Sequence, residues 1–221
     1  MKKLLFVFLG SLLVLLAPAQ SVRLNAYGAY IFDDSYNSTY DTYNYYSGKI
    51  KAGGQYGAGI EYNVQNHYSV ELLYLHEATT APTTYQAGNN SSVKTENFNL
   101  DMNYILLGAE RHQLAPSGKV EGFGGIFAGV DIIDVSTASN DRSASQTKFA
   151  WMLRMGAILW TAGPVGIRLQ AQLNSVSQGM GGGLYFGTGG AGVGLSTYST
   201  IYQFGLGGGL VIKLKNKSQS H

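Results

Sequence analysis

The stretch Ile201-Tyr202-Gln203-Phe204-Gly205-Leu206-Gly207-Gly208-Gly209-Leu210-Val211-Ile212-Lys213-Leu214 alternates with a period of two. Tyr202, Phe204, Leu206, Leu210, Ile212 and Leu214 fall on one face, and Gln203, Gly205, Gly207, Gly209 and Lys213 on the other. Successive side chains of a strand point to opposite faces, so such a run is a strand with one apolar side. The same period recurs along the chain, in segments approximating 22–33, 52–64, 68–79, 97–110, 120–135, 148–161, 165–177 and 200–214. In the seventh, Val165, Ile167, Leu169, Ala171 and Leu173 oppose Gly166, Arg168, Gln170, Gln172 and Asn174; in the second, Tyr56, Ala58, Ile60 and Tyr62 oppose Gln55, Gly57, Gly59, Glu61 and Asn63. The fourth places Phe98, Leu100, Met102, Tyr104 and Leu106 opposite Asn97, Asn99, Asp101 and Asn103. The fifth is less regular, because Phe123 and Phe127 share a face with Glu121 and Asp131. Eight strands and no helical period predict an all-β chain.

The connections alternate in length. Segments 34–51, 80–96, 136–147 and 178–199 are long, whereas 65–67, 111–119 and 162–164 are shorter. Pro116 and Pro164 sit in the tight connections and Pro82 is expected in a long loop, so no proline interrupts a predicted strand. Long loops on one side and short turns on the other are the habit of membrane barrels. A strand of about 12 residues, tilted by about 45°, rises about 28 Å, enough for an apolar band of about 25 Å.

Composition says which face meets lipid. Charged residues make up only 13% of the 221 residues, against about 25% in soluble domains, while apolar content is an ordinary 45%. Low charge excludes a disordered tail and a basic nucleic-acid binder, and the absence of cysteine excludes disulfides, thiolate nucleophiles and cysteine metal sites. The polar faces carry Gly, Asn and Gln rather than the Lys and Glu of a water-facing barrel. Aromatics cluster near the ends of the apolar faces: Tyr30, Phe32, Tyr62, Tyr68, Phe98, Phe149, Trp151 and Tyr202. Rings of this kind favour the membrane interface.

Residues 1–19 have the form of a secretory signal: basic Lys2-Lys3, an apolar run over 4–16, and Ala17-Pro18-Ala19 before cleavage. That run is too short for a membrane helix. Without Lys2 and Lys3 the chain has 13 basic and 13 acidic residues. The expected division is a signal at 1–19, a barrel at 20–214 and a polar tail at 215–221.

Signal, eight alternating strands, long and short connections and the terminal Tyr202-x-Phe204-x-Leu206 strand together resemble the small OmpA/OmpX-type outer-membrane barrels. The resemblance spans the mature chain and is one of pattern, since the family has no short diagnostic motif. It implies an eight-stranded antiparallel up-and-down transmembrane β-barrel in the outer membrane of a Gram-negative bacterium, reached by Sec-type export. It also implies two partners, outer-membrane lipid and, during biogenesis, the barrel-assembly machinery. The chain departs from the pattern at its end, where Lys215 to His221 replaces a terminal aromatic.

Eight inward charges are expected to form a lumen network: Arg23, Glu61, Glu71, Asp101, Glu121, Arg154, Arg168 and Lys213. An eight-stranded barrel is just wide enough for side chains to fill it, and unpaired ions there are costly, so a salt-bridged plug is favoured over a solvated, conducting interior. The tyrosines Tyr36, Tyr40, Tyr43, Tyr45 and Tyr46 stand among small polar residues, either as a surface-recognition loop or as an extension of the first two strands. Lipid-modifying members of the resembled group pair a His with a Ser at the outer surface. Here His67 and His112 are assigned to periplasmic connections, His221 ends the chain, and His76-Glu77 reads as an interfacial residue beside an inward one. No catalytic residue, metal ligand or cofactor is expected. Gly187-Thr188-Gly189-Gly190-Ala191-Gly192 fits a dinucleotide fingerprint in letters only, lacking the strand and helix around it, and 178–199 reads as a flexible loop. The expected role is non-enzymatic, in envelope structure or surface interaction, with a narrow channel and a lipid-modifying enzyme as alternatives.

Overall fold

The computed structural model describes residues 22–41, 44–65, 67–87, 92–137, 143–177, 183–187, 190–194 and 201–214. The segments expected to be signal and tail, and Tyr43, lie outside the described residues. Eight antiparallel strands close into a ring: β1 (Val22–Ile31), β4 (Gly53–Gln65), β5 (Tyr68–Ala87), β6 (Lys94–Leu114), β7 (Val120–Thr137), β8 (Ser143–Trp160), β9 (Val165–Ser177) and β12 (Ile201–Leu214). Neighbours in sequence are neighbours in space, and β1 pairs with β12 from Val22↔Leu214 to Ile31↔Gly205 to seal the cylinder. Closure leaves no backbone edge unpaired in lipid, the condition for any strand to cross a bilayer.

The long connections are largely continued sheet. β2 (Asp34–Asp41) and β3 (Asn44–Ile50) form a hairpin, and β3 then pairs with the upper end of β5. The tyrosine segment thus runs as extended backbone, with Tyr36 opposite Gly48, Tyr46 opposite Ser38 and Tyr45 opposite Thr39. β10 (Gly183–Gly187) and β11 (Gly190–Gly194) pair within the segment expected to be a loop. Pro82 is likewise inside β5 rather than in a loop. It lies beyond the last β4 pair, Gln55↔Glu77, and just before the first β3 pair, Gly48↔Thr83. At that level one side of β5 is unpaired, so the missing N–H breaks no ladder bond.

The short turns are tied by local bonds. Between β6 and β7, Gly118 takes φ 70°, a left-handed conformation that favours glycine, and donates to the Ala115 carbonyl at 2.9 Å. Between β8 and β9, the Thr161 hydroxyl donates to the Val165 carbonyl at 2.7 Å.

The outer wall is apolar around the ring, with Leu24, Ile60, Leu72, Leu107, Ile126, Leu153, Ile167 and Leu206 all exposed. Along β6 the outward residues change character twice. Asn97, Asn99, Asp101 and Asn103 come first, then Ile105, Leu107 and Ala109, then Arg111. The apolar stretch marks the lipid-facing zone. Above it the pattern inverts, since Phe98, Leu100 and Met102 on β6, Ile133 and Val135 on β7, Ala150 and Met152 on β8 and Val176 and Ile201 are buried inside. The strands rise out of the membrane and there form a water-facing barrel with an apolar core.

This inversion corrects the reading of the fourth segment. Phe98 is fully buried rather than part of an outer aromatic girdle, and Asp101 points outward into solvent opposite Asp134 rather than into the lumen. Two carboxylates facing each other across strands are tolerable only where water screens them.

Leu107, midway along the outward apolar stretch of β6, gives a test. Leu107→Arg should destabilise the barrel by about 2–4 kcal/mol, whereas Asp101→Ala should change stability by less than about 0.5 kcal/mol. Equilibrium urea unfolding from lipid vesicles measures both, and equal effects would contradict the placement of the membrane.

Candidate functional site: the barrel lumen

The lower lumen is filled by polar side chains that alternate inward from all eight strands. Arg23, Asn25 and Tyr27 come from β1, Glu61 from β4, Ser69 and Glu71 from β5, and Glu110 and His112 from β6. Glu121 follows from β7, Arg154 from β8 and Arg168 from β9, and all of these are buried. Lys213 of β12 is half-buried at the mouth.

Each guanidinium bridges two carboxylates. Arg23 reaches Glu61 at 3.2 Å and Glu121 at 2.8 Å. Arg154 holds Glu110 at 2.7 Å and also pairs with Glu71. Arg168 donates to Glu61 at 3.4 Å and Glu110 at 3.2 Å. Every lower-lumen acid is thereby paired, as burial in a low-dielectric interior requires. Neutral donors complete the shell: Asn25 donates to Glu61 at 3.1 Å and to Glu71 at 2.9 Å, Trp160 donates to Glu121 at 2.8 Å, and the Tyr27 hydroxyl donates to Glu71.

Aromatic faces carry the guanidinium planes. Arg168 lies 4.2 Å from the Phe123 centroid, and Arg154 lies 4.5 Å from that of Phe127 and 4.8 Å from that of Tyr27. This explains the irregular fifth segment, whose inward phenylalanines serve as cation platforms. The small residue facing each long one is also placed by packing. A Cβ on Gly59 would sit 2.0 Å from a Glu71 oxygen, and one on Gly125 would sit 2.6 Å from Glu110 Cγ.

Six of the eight residues expected in the network come together, and two do not. Asp101 is outside, for the reason given above. Lys213 makes no ion pair among the described residues; its ammonium stands 3.4 Å above the Trp160 ring at the mouth. Two members were not anticipated. Glu110 is absent from the expected network although it ends the fourth segment, and His112 is expected in a connection. His112 is instead on β6 and buried, with Nδ1 2.7 Å from Glu121 and Nε2 3.2 Å from Glu61. Four carboxylates thus face three guanidiniums and one imidazole. The signal was present in the residues: the even-numbered face of 98–112 turns from apolar to polar at Gly108, while the odd-numbered face does the reverse near Ile105.

Glu61, Glu110 and His112 have ligand atoms within 4.8 Å of one another, a donor set of metal-binding type. Both carboxylates are already bridged by guanidiniums, and both imidazole nitrogens face carboxylates. The positive charge a metal would bring is supplied by Arg23 and Arg168, so the arrangement fits an ion-pair network better than a metal centre.

A second polar layer lies above. Gln170 donates to Gln172 at 2.8 Å, Gln172 to Gln55 at 2.6 Å, and Gln55 and Gln203 donate to Glu77 at 3.0 and 3.2 Å. Asp131 and Lys148 face inward opposite each other on β7 and β8. Over this layer sits the apolar cluster of Phe98, Leu100, Met102, Ile133, Val135 and their neighbours. His76 and Glu77 point to opposite sides of β5. His76 contacts Asn103 Oδ1 at 3.0 Å and the Tyr56 ring at 5.1 Å on the outer wall, at the upper limit of the apolar stretch. The Tyr74 hydroxyl donates to the same oxygen at 2.8 Å.

No protein-family model and no curated protein matches the sequence. Solved structures do match in fold. Neisserial surface protein A superposes with a TM-score of 0.57 at 13% identity, covering 89% of this chain and 99% of that one. The fold is that of the small outer-membrane β-barrels. The outer membrane protein OprG from Pseudomonas aeruginosa gives the same TM-score, 0.57, at 13% identity, over 89% of this chain and 96% of its own. In architecture the chain is therefore a closed eight-stranded antiparallel barrel of this kind, with the apolar outer wall and filled interior described above.

The ion-pair network makes a specific prediction. Arg168→Met strips one partner from each of Glu61 and Glu110 and should cost about 3–5 kcal/mol. Combining it with Glu110→Gln removes the excess charge and should recover at least half of that loss. Unfolding midpoints in vesicles decide, and an additive or larger loss in the double variant would contradict the coupling.

Proposed function

We propose that the chain is a non-enzymatic outer-membrane barrel with a closed lumen, which holds its extracellular strand extensions above the cell surface as an envelope component or contact surface. The observation that carries this reading is the double filling of the interior: a paired charge layer below and an apolar cluster above, in a cylinder of eight strands. Ions crossing such a lumen would have to break several buried ion pairs and then enter a dry zone. The fold itself is neutral about activity, since one architecture hosts unrelated functions. The absence of catalysis is proposed on side-chain placement, because His76 and Glu77 lie on opposite sides of the wall and His112 is enclosed by carboxylates. Lipid around the wall and the assembly machinery acting on β12 are the partners this reading requires.

Planar-bilayer recording of the purified, refolded protein tests it. Wild-type protein should insert without steady single-channel openings, whereas defined conductance steps would replace the closed-lumen reading with that of a narrow channel. Release of labelled fatty acid from lipid A or phospholipid, abolished by His76→Ala, would replace it with that of an enzyme.

A further inference from the structure

The lower rim has an asymmetry of charge that the lumen does not explain. All four acids of that end, Glu61, Glu71, Glu110 and Glu121, turn inward and are buried, while Arg111 and Lys119 stand exposed. The exposed acids Asp33, Asp101 and Asp134 and the half-buried Asp34 and Glu96 belong to the other end of the strands. Among the described residues Arg111 has no acid within ion-pair distance, although it stands on the outer wall at the lower limit of the apolar stretch. Its cross-strand neighbours are Tyr68, itself exposed on the wall, and Gly124.

Beside Arg111 the wall is indented. A groove of about 450 Å³ is lined by Arg111, Gln113, Gly122, Phe123 and Gly124. Glu121 and Phe123 point into the lumen, so Gly122 and Gly124 present bare backbone to the outside. A Cβ at either would meet nothing closer than 3.9 Å. The missing side chains leave a trough of acyl-chain scale, with a guanidinium and an amide at its lip.

From this geometry we infer that the β6–β7 wall is a binding site for one phospholipid of the inner leaflet, its phosphate held by Arg111 and one acyl chain lying over Gly122 and Gly124. The ligand chemistry follows from the residues. An unpaired guanidinium matches phosphate in a forked geometry, and a basic rim favours an anionic headgroup. Gln113 adds a neutral donor, and Tyr68 anchors the same level at the interface. Lys119, on the turn, contributes through longer-range attraction. The inference rests on the membrane-barrel reading, because only then does the groove face lipid.

Phosphatidylglycerol added to the purified detergent-solubilised protein is the probe, and native mass spectrometry counts bound lipid. One tightly held lipid is expected, with affinity falling about tenfold in Arg111→Gln and similarly in Gly124→Leu, whose side chain fills the trough. Since neither variant touches the lumen, both should retain the heat-dependent gel shift of a folded barrel. Wild-type affinity in both shifted variants would overturn the site, as would displacement of the lipid by equimolar inorganic phosphate. Loss of the gel shift in the wild type itself would overturn the barrel reading, and this site with it.

Discussion

Closure of the β1–β12 seam is the constraint on which everything else in this molecule depends. An open sheet would leave a row of N–H and C=O groups facing hydrocarbon, each costing several kcal/mol. Once the ring closes at eight strands, the interior is too narrow for bulk water and too wide to be left empty. The chain must therefore supply a core, but one built from whichever side chains the period of two turns inward. In the membrane zone the outward set is apolar, which leaves polar residues for the interior. The buried salt bridges follow from this geometry.

Pairing those charges then constrains the rest of the inward residues. Glycine stands at 59 and 125, beside Glu71 and Glu110, because those side chains occupy the space a Cβ would need. Phenylalanine appears at 123 and 127, against the polar trend, because guanidinium planes rest on rings. The network is held together by long Arg and Glu side chains, each bonded to partners on several strands. It ties β1, β4, β5, β6, β7, β8 and β9 across the interior as well as around the wall.

Strand number, strand position and the sense of most faces were legible in the sequence, because alternation in β1, β4, β9 and β12 is uninterrupted across the membrane zone. The reading failed where the solvent changes along a single strand. On β6 the apolar residues Phe98 to Leu106 read as a lipid face, which misplaces Phe98 and Asp101 together, and ending the strand at residue 110 leaves His112 in a connection. Periodicity reports which residues share a face but not what that face meets. Only the reversal near Ile105 and Gly108 carries that information. The long connections were underestimated for a related reason: polar, Ser- and Thr-rich extensions resemble loops when strands are recognised by lipid-facing apolarity. Pro82 reinforced the error, since its tolerance depends on which neighbour is absent at that level.

The apolar core above the membrane has a consequence for how the protein can change. Flexible loops would let any alteration at the cell surface propagate down as altered strand ends. Here the projecting part is stapled by its own interior, so the tips are mechanically separated from the charged layer below. Sequence at those tips is free to drift without re-solving the problem of crossing the bilayer.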